Sequence, residues 1–121
     1  KIAKFYDIFF DKLNSDFNKK LVLKPKILIT NKSIYSQYTI KTKYRDKLKK
    51  YLYDNKISSL IYYENLVIDN SYYKKRCNFQ NITKAKKIKK SVLSLPINGY
   101  QNLKETKYIC DKILLFFKNL I

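Results

Sequence analysis

Twelve tyrosines, two cysteines and nine carboxylates are the groups through which this 121-residue chain could do chemistry, for it contains no histidine. That excludes a histidine base, a Ser-His-Asp triad and a His-ligated metal. A single glycine excludes every glycine-rich phosphate loop. The carboxylates are scattered from Asp7 to Asp111. Asp7 and Asp11 share a helix face at i, i+4, but that face is expected to be the solvent side, so they read as solvated charge rather than an acid/base pair. Cys110 falls on an apolar stripe and reads as a small core residue. Cys77 follows Lys75 and Arg76 but has no CxxC partner, and reads as an incidental thiol. No catalytic or metal-binding residue is expected in this chain.

The second chemical resource is charge. The net charge is +18, from 27 cationic against 9 acidic residues, and only Arg45 and Arg76 are arginine. A lysine row at Lys84, Lys86, Lys87, Lys89 and Lys90 could contact phosphates, with Tyr72, Tyr73 and Phe79 as stacking partners. A basic, non-enzymatic nucleic-acid-binding module is therefore one reading. Against it, Lys, Asn, Ile, Tyr and Phe are all enriched, the group that A/T-rich base composition inflates. Phosphate-reading surfaces usually keep arginine for bidentate contacts, and no helix-turn-helix, RRM or KH signature is present. Base-composition drift is the stronger explanation, and nucleic acid is not the expected partner.

Two well-separated cysteines fit reduced thiols in a cytoplasmic protein. No apolar run approaches the roughly 20 residues of a membrane span. The strongest, Ile113 to Phe117, is flanked by Lys112 and Lys118. Asp7 and Asp11 interrupt the N-terminal stretch, which rules out a signal peptide there, and no membrane partner is expected. With no methionine and a helical pattern already running at Lys1, the chain is expected to be a piece or a processed product.

The elements that must position these groups can be read from periodicity. Ile2, Phe5, Tyr6, Phe9 and Leu13 recur at steps of three and four, predicting an amphipathic helix ended by Asn14, Ser15 and Asp16. Leu21 to Leu23 is a short strand candidate. Ser33 to Thr42 alternates, with Ile34, Ser36, Tyr38 and Ile40 on one face, and is the best strand candidate in the chain. A helix is expected from about Arg45 to Tyr53, with Leu48, Tyr51 and Leu52 inward. Ile57 to Tyr63 reads as a further strand, and Glu64 to Gln80 as a long polar connection rich in tyrosine.

Ala85, Ile88 and Val92 define the inward stripe of a helix over 82–92, and Leu93 to Pro96 an extended piece. Asn102 and Glu105 form a capping-box pattern. They open a last helix whose buried stripe is Leu103, Thr106, Ile109, Cys110, Ile113 and Phe117. The expected fold is α/β, a small sheet packed by helices, in one domain over 1–121.

Ser33-Ile34-Tyr35-Ser36-Gln37-Tyr38-Thr39-Ile40, then Tyr44-Arg45-Asp46-Lys47-Leu48 to Leu52, Ile57, Tyr62-Tyr63, and Val92-Leu93-Ser94-Leu95-Pro96 before a capped helix form an ordered set. It resembles the C-terminal small domain of the DegT/DnrJ/EryC1/StrS family of PLP-dependent sugar aminotransferases. The spacing agrees from about Ser33 to Ile113. Residues 1–14 resemble the helix that joins the large domain to the small one.

The resemblance implies a fold type I aminotransferase. The family carries PLP as a Schiff base on a large-domain lysine and passes an amino group, commonly from glutamate, to a keto-sugar on a nucleotide. It implies a large domain upstream, a homodimer, a nucleotide-sugar substrate, and a role in surface-polysaccharide or modified-sugar synthesis. No cofactor-binding motif matches this chain, so PLP is expected of the full-length protein and not of this chain alone.

The departures fall near the family's active-site loop. Its two histidines are replaced by Tyr62 and Ile68, a proline by Glu64 and a glutamine by Asn70. Lys86 stands where a glutamate follows Ala85, and Gly99 where a second proline follows Pro96. Core positions survive better than site positions, so a degenerate remnant of an aminotransferase is a further reading. The residues expected to touch substrate are Tyr62 and Tyr63, with Tyr73 behind them.

Overall fold

The computed structural model describes residues 1–78 and 81–121. The N-terminal repeat forms helix α1 (Ile2–Asp16). Its inner face is Ala3, Tyr6, Phe10 and Leu13, one residue round from the expected stripe, with Ile2, Phe5 and Phe9 half-buried at its border. Asn14, in the last turn of α1, ties down the chain that follows the helix. Its amide donates to Val22 O at 2.7 Å, and its Oδ1 accepts from the Leu21 and Val22 N–H groups. This side chain thus satisfies backbone groups of the segment that follows the helix, while Phe17 and Asn18 N–H take the carbonyls of Leu13 and Ser15 at the helix end.

Two strands pair antiparallel, β1 (Tyr38–Lys41) and β2 (Val92–Leu95), with Tyr38 opposite Leu95 and Ile40 opposite Leu93. Single bridges extend the sheet on both sides. Leu23 pairs with Lys41 beyond β1, and Leu60 with Ser94 beyond β2. All four extended segments expected from the sequence thus lie side by side, but only the central two are strands.

The long alternation over 33–42 does not run as one strand. Tyr35 sits at φ 50°, and its N–H is taken by the Ser33 hydroxyl at 3.1 Å. This local turn breaks the extended run, which leaves Ile34 95% exposed. Ile57 to Tyr63 likewise contributes only the Leu60 bridge, because the chain turns at Tyr62 and Tyr63.

Helix α2 (Arg45–Asp54) buries Leu48 and Leu52. The connection expected over 64–80 contains a 3₁₀ turn (Val67–Asp69) and a short helix α3 (Ser71–Arg76), capped by Asn70, whose Oδ1 accepts from Tyr72 N at 2.9 Å. Helix α4 (Thr83–Lys89) is shorter than the 82–92 expected and buries nothing. Ala85 and Ile88 are exposed, and Val92 is buried as the first residue of β2 rather than as part of the helix. The stripe fails because the sheet claims Val92 and leaves Ala85 and Ile88 too little apolar surface to dock a seven-residue helix.

Helix α5 (Leu103–Leu120) carries both halves of the capping box, Glu105 N to Asn102 Oδ1 and Asn102 N to Glu105 Oε2, each 2.9 Å. It buries Thr106, Ile109, Cys110, Ile113, Phe116 and Phe117, while Leu103 stays exposed.

Helices α1 and α2 both pack on α5, and the three cover the sheet face bearing Tyr38, Ile40, Leu93 and Leu95. Tyr6, Phe10, Tyr38, Ile40, Leu48, Leu52, Leu93, Ile113 and Phe117 are fully sealed from solvent. Each such side chain contributes about 1.5–3 kcal/mol of burial. This is one core, and the 3₁₀ turn, α3 and α4 lie outside it.

Candidate functional site

The end of β2 forms the floor of a cleft of about 270 Å³. Ser94, Leu95 and Pro96 lie at its base, Ser36 and Gln37 on the β1 side, and Ser58, Ser59 and Leu60 on the bridged side, with Tyr62 at the rim. Its base is held from behind. The Tyr6 hydroxyl donates to Pro96 O at 2.8 Å, and Gln101 Nε2 reaches Tyr6 Oη at 3.3 Å and Thr106 Oγ1 at 3.0 Å. Burial raises the Tyr6 phenol well above its ordinary range, so it stays a donor. Ser94 and Thr39 share a hydrogen bond at 2.7 Å across the two strands.

The three tyrosines singled out by the sequence are not gathered at one point. Tyr62 lines the cleft. Tyr63 stacks edge-to-face on it at 5.8 Å and is 75% exposed. Tyr73 lines a different hollow, of about 430 Å³, with Asn65, Leu66, Asp69 and Asn70, and meets Tyr72 edge-to-face at 5.3 Å.

Two ion pairs pin the loop that carries them. Lys49 Nζ on α2 donates to Glu64 Oε1 at 2.9 Å, and this bond holds the Glu64 carboxyl below its ordinary value. Lys89 Nζ on α4 donates to Asp69 Oδ2 at 2.5 Å. That bond, reinforced by Leu66 N–H at 2.8 Å, does the same for Asp69.

Ser36, Gln37, Ser58 and Ser59 were not expected as site residues. A signal for two of them exists in the sequence. Ser58 and Ser59 are the only aliphatic hydroxyls in the otherwise apolar and aromatic run Ile57 to Tyr63. A polar pair inside such a run marks a backbone that turns one edge toward water.

The other candidates resolve plainly. Asp7 is not a free surface charge: it is half-buried, and its Oδ1 accepts from the Tyr38 hydroxyl at 2.6 Å. Asp11 pairs with Lys24. Cys110 is buried, and desolvation pushes its thiol up to about 12, so it is not a thiolate nucleophile at neutral pH. Cys77 is free and exposed. Lys84, Lys86 and Lys87 are exposed, Lys89 is engaged by Asp69, and Arg76 lies over the Tyr72 ring at 4.1 Å. Phe79 lies outside the described residues.

Among the described residues, no group of three Cys, Asp or Glu side chains is arranged to hold a metal. No helix among the described residues is long and apolar enough to cross a membrane. The cleft contains neither a lysine amine nor a carboxylate. Those are the two groups expected to hold PLP, so its residues do not fit that coenzyme.

A small two-stranded antiparallel sheet covered by helices, with a polar cleft at one strand end, defines a mixed α/β fold. A sequence model of the DegT/DnrJ/EryC1/StrS aminotransferase family matches residues 1–114, and the chain belongs to that family.

Solved structures agree. A DegT DnrJ EryC1 StrS aminotransferase from Brucella abortus superposes with a TM-score of 0.74 at 25% identity, over 94% of this chain and 31% of that one. Helicobacter pylori PseC, an aminotransferase involved in the biosynthesis of pseudoaminic acid, superposes with a TM-score of 0.76 at 18% identity, over 98% of this chain and 32% of that one. DesV from S. venezuelae, solved in complex with a ketimine intermediate, does so with a TM-score of 0.73 at 19% identity, over 91% and 30%. At 18% and 19% identity the likeness to PseC and DesV is one of fold. The chain spans about a third of the length of these proteins. No curated protein matches the sequence.

Proposed function

We infer that this chain is the C-terminal small domain of a PLP-dependent aminotransferase acting on a nucleotide-linked keto-sugar. In this reading PLP and its lysine belong to a large domain upstream, α1 is the connection to it, and the working unit is a homodimer. The role of this chain is then to close one side of the substrate cleft and to support the dimer, in polysaccharide or modified-sugar synthesis.

The observation that carries the reading is where the cleft lies. It is built from the three segments around Ser36, Tyr62 and Ser94 that carry the family's sequence pattern. The core holding those segments is intact although the stretch from Tyr62 to Ile68 carries none of the histidines of the resembled family pattern. Tyr62 and Tyr63 are the side chains assigned to substrate, through hydrogen bonds from their phenols to sugar or phosphate oxygen, with Tyr73 behind them.

The test is made on the native gene product. Its intact mass should exceed that of this chain severalfold, and the purified protein should show PLP absorbance and transaminate a nucleotide-linked keto-sugar. Combining Tyr62→Phe with Tyr63→Phe should raise KM for that substrate severalfold. A native product no larger than this chain sinks the enzyme reading, and unchanged kinetics in the double variant sink the tyrosine assignment.

A further inference from the structure

Between α1 and β1 the chain leaves the core, and residues 26–34 are exposed at every position. Both ends of this loop are fixed. Before it, Leu21 and Val22 are buried, Leu23 exchanges two backbone bonds of 2.8 Å with Lys41, and Lys24 pairs with Asp11. Beyond it, the Tyr35 ring lies 6.0 Å from that of buried Tyr38. At the tip the Asn31 N–H donates to Leu28 O at 2.9 Å, closing a turn with Ile29 and Thr30 at its corner.

The tip is aliphatic. Ile27 is 40% exposed, Leu28 61% and Ile29 wholly. Turn corners ordinarily carry Gly, Pro, Asn, Asp or Ser, so an aliphatic side chain there answers no local need. Base-composition drift enriches isoleucine and lysine along the whole chain, but it does not account for their placement. Among the described residues, the other runs of three aliphatic side chains, at 21–23, 66–68 and 113–115, each keep at least one member buried or half-buried. The run at 27–29 keeps none.

Positive charge borders this tip. Lys24, Lys26 and Lys32 flank it, and no Asp or Glu occurs from 17 to 45. Asp11, which meets the base of the loop, is neutralised by Lys24. Lys26 and Lys32 are exposed, and among the described residues neither joins an ion pair.

Three aliphatic side chains bordered by lysine match a bilayer surface with anionic headgroups. The tip enters the acyl boundary, while the amines stay at the phosphates on stems that lie along apolar surface. Other occupants fit less well. The core of a protein interface, one with a domain upstream included, is depleted in lysine. A nucleic acid would use the lysines and aromatic stacking faces, but residues 24–32 include no aromatic, and the aliphatic tip would stay in water. The signals that exclude a span and a signal peptide do not bear on a loop that enters only one face of a bilayer.

We propose that this loop is an interfacial anchor, with Ile27, Leu28 and Ile29 entering an anionic lipid surface and Lys26 and Lys32 meeting its headgroups. The anchor goes beyond the aminotransferase reading and does not depend on it.

The experiment sediments the native gene product with sucrose-loaded vesicles, at about 0.1 M salt, where the Debye length is about 10 Å. One set is phosphatidylcholine alone, the other phosphatidylcholine with phosphatidylglycerol. The protein should pellet with the anionic vesicles and stay in solution with the neutral ones. Leu28→Ser combined with Ile29→Ser keeps every charge and should weaken that binding at least about tenfold, less than one fully buried aliphatic side chain can supply. Lys26→Gln combined with Lys32→Gln should weaken it by about tenfold as well. Without vesicles, the thermal midpoint of the serine variant should equal that of the parent, because neither side chain is buried.

No pelleting with anionic vesicles overturns the proposal. So does a serine variant that pellets like the parent, since the attraction would then be the general positive charge of the protein. A lower thermal midpoint in that variant overturns it too, by showing the tip buried against another part of the native protein. Loss of polyuridylate binding in the same variant assigns the loop to nucleic acid and overturns the lipid assignment. Vesicle binding by a product that does not transaminate upholds the anchor and sinks the aminotransferase reading. Transamination with no vesicle binding does the reverse.

Discussion

The Tyr38 hydroxyl donates to Asp7 Oδ1 at 2.6 Å, joining the first residue of β1 to the middle of α1 across 31 positions of sequence. The Tyr38 ring is fully buried, 4.9 Å from the Tyr6 ring, while Asp7 stays half-exposed. The bond therefore has a dry donor and a partly wet, charged acceptor. Tyr6 makes the parallel link from α1 to Pro96 O at the end of β2. Two tyrosines of the core thus use their polar tips to orient α1 against the ends of both strands.

Tyr38→Phe tests the first link. The ring packing survives and only the hydrogen bond is lost. Asp7 can rehydrate, so the cost lies near the low end for bonds to charged groups, about 1.5 kcal/mol. Urea unfolding followed by circular dichroism should show a lower midpoint with an unchanged slope; a midpoint equal to that of the parent would remove Asp7 from any role in holding α1.

Alkaline pH should destabilise the fold earlier than surface titration alone would. Cys110 is pushed from 9.0 to about 12 by burial, and burial likewise raises the phenols of Tyr6 and Tyr38, the latter helped by its bond to Asp7. For each group the folded state holds its proton more tightly than the unfolded chain. The stabilising contribution of Cys110 is thus complete below about pH 9 and is lost as pH rises through 9 to 12, and that of the two phenols begins to be lost only above about pH 10. A single group contributes at most about 1.4 kcal/mol per pH unit in that window. Urea midpoints between pH 8 and 11 should fall, and Cys110→Ala should flatten the onset near pH 9. A midpoint independent of pH over that range would contradict the burial of all three.

Asn102→Ala removes the side chain that takes the Glu105 N–H and leaves only the reciprocal bond from the residue-102 backbone N–H to Glu105 Oε2. The expected cost is about 1 kcal/mol. Because Thr106 sits one turn on and connects through Gln101 to Tyr6, amide exchange should accelerate first over residues 102–106. Uniform acceleration along α5 would show that the cap does not act locally.

Asp69→Asn should loosen the outer segment without touching the core. Asp69 ties α4 to the 3₁₀ turn through Lys89 and Leu66, and the described residues of the 3₁₀ turn, α3 and α4 include no buried one to hold them otherwise. Brief trypsin treatment should cut faster at Lys74, Lys75, Lys84 and Lys86 while the thermal midpoint moves little. The same acceleration should follow from raised salt in the parent, since the pair is partly exposed and screened. Equal cleavage rates in variant and parent would mean the ion pair does not restrain the segment.

Helices α1, α2 and α5 were legible because each is amphipathic over ten residues or more and carries local stop or start signals, of which the Asn102 and Glu105 box is the clearest. The family pattern was legible because its pieces recur at fixed spacing. Those are properties of neighbouring residues, which the linear chain contains.

Tertiary structure decided the rest. Whether Ser33 to Gln37 is strand depended on the Ser33 hydroxyl capturing the Tyr35 N–H. Whether α4 is core depended on β2 claiming Val92. The cleft depended on three separate segments meeting at Pro96, so its serines look like ordinary polar residues until Ser36 and Ser58 face one another across β2. Alternation and periodicity encode which side of an element is apolar. They do not encode which elements compete for the same partner, because that competition is settled by burial summed over the whole fold.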